Sequence, residues 1–86
     1  MFIQTEQTPN PATLKFLPGQ QVMAHGVVDF TDAEATSTSP LARRLFEVEG
    51  VTGVFLGADF ITVTKEQAGD WSVIVPAVIA ILEGVY

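Results

Sequence analysis

Cysteine, the side chain that most readily holds soft metals and attacks carbonyl groups, does not occur among the 86 residues. A thiolate metal site, a disulfide framework and a cysteine nucleophile are therefore excluded. His25 is the lone histidine and sits beside Gly26 in a predicted loop, so it reads as a solvated side chain rather than one member of a metal set. Asp29, Asp32 and Glu34, at i, i+3 and i+5, could offer oxygen ligands to a hard cation. No EF-hand loop surrounds them, and solvation is the reading taken. Asp59, Glu66 and Asp70 read as a loop residue, a strand-end charge and a helix cap, because nothing in the spacing gathers them around a nucleophile. No glycine-rich phosphate cradle is present either. The expectation is a chain with no catalytic, cofactor-binding or metal-binding residue, which is not an enzyme.

What remains are surfaces. Thr8-Pro9-Asn10-Pro11 places two prolines in four residues, fixing φ at each and restraining the residue before each. The expected result is a stiff, wide loop, either a plain hairpin connection or a presentation surface that loses little freedom on binding. Arg43 and Arg44 are two of the four basic residues. They fall near the start of a predicted helix, where the macrodipole gains nothing from cations. They read as a solvated face with an Arg43 to Glu47 pair, or as a contact for an acidic partner. The final predicted helix is apolar almost all round, which leaves Val73, Ala77, Ile79 and Ala80 either wrapped by the sheet or open to a partner.

The elements that carry these residues follow from pattern. FIQT (2–5) and TLKFL (13–17) are strand-prone runs on either side of the TPNP loop and form a hairpin closed by Pro18-Gly19. GVVDF (26–30) is a further short strand, followed by a small polar loop tract over 31–39. Ser39-Pro40 opens a helix over 40–49, with Leu41, Leu45 and Val48 on one stripe and Gly50 ending it. VTGVFL (51–56) and FITVT (60–64) form a second hairpin through Gly57-Ala58-Asp59, with Ile61 and Val63 on one face and Thr62 and Thr64 on the other. Asp70 caps a last helix in which Trp71, Ile74, Val75, Val78, Ile81, Leu82 and Val85 share one face. Because Pro76 removes one intrahelical bond, a start nearer residue 75 is the alternative. This order predicts an α+β fold: a small two-layer sandwich, with a mostly antiparallel sheet of four to five strands and two helices on one face.

Composition bounds the rest. A chain of 86 residues is one domain, residues 1–86, that buries roughly two-thirds of its unfolded surface. Ten acidic against four basic residues give a net charge of −6, which disfavours nucleic acid and anionic lipid as partners. The apolar stretch 71–82 is too short to span a bilayer. With no signal or transit pattern at MFIQTEQT, the cytoplasm is the expected compartment.

The strings MFIQTEQTPNPATLKFLPG, SPLARRLFEVEGVTGVFLGADFITVTKE and DW, in that order, closely resemble the N-terminal domain of the Nfu family of iron-sulfur cluster scaffold and carrier proteins. The resemblance rests on TPNP with LKF, then SPLA, LF, EGV, DFITVTK and DW. It covers nearly the whole chain, with 21–25 and 32–38 least characteristic. It implies that a second, C-terminal domain carries a Cys-x-x-Cys pair, through which two protomers share an iron-sulfur cluster. This chain holds no such pair, so the resemblance implies the pathway and not cluster binding here. The implied role is a non-catalytic accessory domain that positions the cluster-bearing domain and engages iron-sulfur assembly proteins or recipient apoproteins. A structural cap for its neighbour and a stand-alone iron-binding module are the alternatives. The candidate contact residues are Thr8, Pro9, Asn10, Pro11, Arg43, Arg44, Val73, Ala77, Ile79 and Ala80.

Overall fold

The alternation of apolar and polar residues along four of the five strands determines which face of the sheet is covered. In a computed structural model, which describes residues 3–32 and 39–86, the elements are β1 (Gln4–Gln7), β2 (Thr13–Leu17), β3 (Val28–Phe30), α1 (Pro40–Phe46), β4 (Val51–Leu56), β5 (Ile61–Lys65) and α2 (Trp71–Val85). The strands form one antiparallel sheet in the order β1-β2-β5-β4-β3. Phe16, Ile61, Val63, Val54, Leu56 and Phe30 point to one face and form a single core with Ala42 and Leu45 of α1 and Ile74, Val78 and Leu82 of α2. This is the expected α+β two-layer arrangement.

The opposite face is polar and organised by the strand register. Glu6 pairs with Lys15, Lys15 with Thr62, Thr62 with Phe55, and Phe55 with Asp29, so these five form a row across the sheet. Directly paired residues share a face. Phe55 is kept from full exposure by stacking on Phe60, with centroids 5.9 Å apart, and Lys15 Nζ lies 4.5 Å from the Phe60 centroid. A methyl group at Gly57 would collide with the Phe60 ring, so only glycine lets that ring lie flat there.

Several boundaries differ from the sequence pattern, each for a local reason. β1 runs over Gln4–Gln7 rather than 2–5, because it pairs along β2 as far as Gln7 with Leu14. Ile3 is buried just outside the ladder, and Phe2 lies outside the described residues. β3 begins at Val28 rather than Gly26. The second hairpin closes through residues 57–60, since Leu56 pairs with Ile61 and Gly57 N–H donates to the Phe60 carbonyl at 2.9 Å. Most of the polar tract 31–39 lies outside the described residues.

The two helices differ from expectation in opposite directions. α1 ends at Phe46 instead of residue 49, because Glu47 and Val48 N–H donate to the Arg44 and Leu45 carbonyls, both at 3.1 Å, tightening the chain into three-residue turns. Gly50 then reverses the chain at φ +96°, a conformation that suits glycine. α2 starts at Trp71 without delay, because the Asp70 carboxylate accepts from Ser72 N–H at 2.9 Å and caps the first turn. Pro76 sits inside the helix on its exposed side, and the helix continues through it.

Two glycine replacements should move stability in opposite senses. Gly50→Ala forces a positive φ on alanine and puts a Cβ 3.2 Å from Ile74 Cδ1, so it should lower unfolding free energy by about 1–2 kcal/mol. Gly84→Ala, in the open last turn of α2, should raise it by about 0.5–1 kcal/mol. Urea midpoints at unchanged m values check both.

Candidate functional site

Two prolines leave the 8–12 loop few backbone donors, and its side chains supply the missing order. Thr8 Oγ1 lies 2.8 Å from both the Asn10 and Thr13 carbonyls, which share its single proton, and it accepts from Asn10 N–H at 3.2 Å. Asn10 Oδ1 accepts from Ala12 N–H at 3.0 Å, an Asx turn, while the Asn10 carbonyl accepts from Thr13 N–H at 3.0 Å. Each non-proline residue of TPNP is thus tied to the loop on both sides.

The loop is also pinned from outside, by a residue sixty positions away. Trp71, the first residue of α2, donates its indole N–H to the Pro11 carbonyl at 3.1 Å. Lys65 N–H donates to the Ala12 carbonyl at 2.9 Å, and Lys65 Nζ lies 6.0 Å from the Trp71 ring centroid. The result is an open groove of about 360 Å³, walled by the TPNP loop, Gln7, Leu14 and Trp71. Sequence reasoning placed the loop on the surface but missed Trp71. TPNP and DW are both among the family strings, but nothing in their spacing shows that they meet.

The second region joins candidates that looked unrelated in sequence. Arg44 at the end of α1 shares a groove of about 430 Å³ with Val73 and Ala77 of α2, together with Glu47, Glu49 and Ile81. Val73 is 63% exposed, so the sheet does not wrap this side of α2. Ile79 is half-buried against the core on another flank, and Ala80 is exposed. Arg43 is exposed and does not line this groove. Because α1 is short, both arginines fall in its last turn, where the dipole favours cations, contrary to their expected place near its start. The Arg43 to Glu47 pair does not form; the ion pair among the described residues is Lys15 to Glu6, at 3.9 Å.

The described acidic residues singled out in sequence occupy different places in the fold. Asp59 lies in the β4–β5 turn, Glu66 follows β5, and Asp70 caps α2. His25, Asp29 and Asp32 are exposed, and Glu34 lies outside the described residues. No group of three or more His, Cys, Asp or Glu among the described residues could hold a metal ion. No helix there is long and apolar enough to cross a membrane.

Asp70 connects the loop site to pH. Hydrogen bonds from the Ser72 side chain and then its backbone hold the Asp70 carboxyl below the usual carboxylate range. A depressed folded pKa means the cap contributes above the unfolded value and is lost as pH falls through the folded one. Acidification should therefore fray the first turn of α2 before the core melts, seen as a shift of the Ser72 amide that Asp70→Asn abolishes. Trp71→Phe should cost about 0.5–1.5 kcal/mol and accelerate exchange of the Ala12 and Thr13 amides beyond the global change. Equal acceleration throughout the sheet would contradict the pinning.

Both the sequence and the fold match known proteins. A sequence model of the family described as "Scaffold protein Nfu/NifU N terminal" matches residues 3–86. The mitochondrial NFU1 iron-sulfur cluster scaffold homolog of Drosophila sechellia is 54% identical over 83 residues, covering 95% of this chain and 29% of that protein. Its counterpart in Drosophila grimshawi is 55% identical over 82 residues, covering 94% and 28%. The chain thus spans less than a third of these relatives, whose names place them in mitochondria rather than in the cytoplasm expected for this chain. A crystal structure of a Staphylococcus aureus protein superposes with TM-score 0.79 at 29% identity, covering 94% of this chain and 98% of that one. The solution structure of a NifU-like protein from Saccharomyces cerevisiae gives TM-score 0.75 at 31% identity, covering 96% and 76%. With the family sequence matched from residue 3 to the last residue and the fold shared with a NifU-like protein, the chain belongs to the Nfu/NifU scaffold family, in its N-terminal domain.

Proposed function

We propose that this chain, as one domain over residues 1–86, is a non-catalytic docking module of an iron-sulfur cluster scaffold or carrier. It positions the cluster-bearing domain and engages proteins that donate or receive the cluster. The observation that carries this reading is the pinned TPNP loop: its hydrogen bonds and the Trp71 contact fix a surface in advance of any partner. A surface ordered beforehand loses less conformational freedom on binding. The sequence composition supports placing the cluster on another domain. Iron-sulfur clusters are held mainly by thiolates, and this chain has none to offer.

The contact residues in this reading are Thr8, Pro9, Asn10 and Pro11 at one end, with Arg43, Arg44, Val73, Ala77, Ile79 and Ala80 on the helical layer. Recipient apoproteins, assembly proteins and the Cys-x-x-Cys domain of a longer chain are the partners proposed. Cytoplasmic placement remains part of this reading, beside the mitochondrial location that the names of the fly relatives carry.

Deleting this domain from a longer family member that carries the Cys-x-x-Cys domain, then measuring cluster transfer to several apoproteins, tests the role. Docking predicts that transfer to some recipients falls while others are served as before. Uniform loss with aggregation would favour a structural cap instead, and tight stoichiometric binding of ferrous iron to the 86-residue chain would favour an iron-binding module.

A further inference from the structure

The groove between the end of α1 and the outer side of α2 has a composition that identifies its occupant. Its floor is apolar: Val48, Val73, Ala77 and Ile81. Val73 is among the most exposed large apolar side chains of the described residues, at 63%. Its rim is acidic: Glu47 and Glu49 are both exposed, and neither has an ion-pair partner among the described residues. Arg44 is the single cation at this rim.

An apolar strip bordered by uncompensated carboxylates is complementary to a segment with the opposite rim. From this we infer that the α1–α2 groove binds a basic, amphipathic protein segment. Its apolar side chains cover Val73, Ala77 and Ile81, and its Lys or Arg side chains meet Glu47 and Glu49. The inference rests on the docking reading above and names the partner's chemistry. Burial of Val73 supplies the non-directional part of the attraction. The two carboxylates select sign and register, and Arg44 fixes direction by rejecting a cation on its side. The net charge of −6 adds long-range attraction for a basic partner and opposes a second copy of this chain in the same groove.

This surface is separate from the TPNP loop. The loop groove is walled by Trp71 and β2, whereas this one is walled by α1 and the Val73 side of α2. The two can therefore be tested independently on the intact chain.

The probe is a synthetic amphipathic helix of leucine and lysine, with a leucine–glutamate counterpart as control, titrated into the isotopically labelled chain. Amide shifts should centre on residues 44–49, 73, 77 and 81 for the lysine peptide, and the glutamate peptide should not bind. Glu47→Lys with Glu49→Lys, and separately Val73→Asp, should weaken binding by about tenfold or more. Asp59→Lys with Glu66→Lys changes net charge equally at exposed positions away from the groove and should weaken it by less than about threefold. All four substituted acids are exposed, so these variants keep the fold, as far-ultraviolet circular dichroism will show.

Equal weakening by the two charge-reversed pairs would reduce the effect to non-specific charge and overturn the inference. So would shifts centred on residues 8–12, although the docking reading would then stand. A concentration-dependent dimer that competes with the peptide would assign the groove to a second copy and overturn it as well. The domain-deletion experiment decides the docking reading by itself, whatever the peptide does.

Discussion

The early end of α1 shapes the groove beside α2. A five-stranded sheet with helices on one face needs both of them to cover its inner side chains, and α1 has only Pro40–Phe46 to contribute. Ala42 and Leu45 fill the core from that short helix, and the chain then turns back through Val48 and Gly50 to begin β4. Val73 is left exposed and Ala77 half-buried as a direct consequence, next to the carboxylates that the turn carries. The turn is held by Gly50, whose φ of +96° and closeness to Ile74 disfavour any side chain.

A second constraint ties the N-terminal end of α2 to the sheet. Asp70 caps the helix, Trp71 follows, and its indole N–H reaches the Pro11 carbonyl. The β1–β2 connection is thereby held to the helical layer as well as to its own strands. TPNP is stiff for two reasons acting together. The prolines remove conformations from the free chain, while Thr8, Asn10 and Trp71 hold one conformation in the folded one. The same residues that order the loop also wall a groove beside it, so stability and surface arise from one set of contacts.

Much of this was legible in the sequence wherever the signal was local. Ser39-Pro40 and Asp70 mark helix starts because their side-chain oxygens accept from the first free N–H groups, as the structure shows at Ala42 and Ser72. The alternation of Ile61 and Val63 against Thr62 and Thr64 gave the two faces of β5. Less legible was whatever depends on distant residues. The end of α1 could not be read from apolar spacing, because Val48 continues the helical stripe although the backbone has already tightened into turns. β1 slid past its most strand-prone residues because pairing with β2 decided its extent. The grouping of Arg44 with Val73 required both helices in place, and the Trp71–Pro11 bond links positions that no periodicity connects.

Family membership, a cysteine-free composition and two surface grooves support the proposed account, in which this polypeptide supplies shape and contacts to iron-sulfur metabolism and the coordination bonds come from elsewhere. Anaerobic incubation of the 86-residue chain with ferrous iron and sulfide, followed by desalting and Mössbauer spectroscopy, tests that account most directly. The account predicts that no cluster signal remains with the protein after desalting. A stable, stoichiometric cluster retained by this chain alone would contradict it.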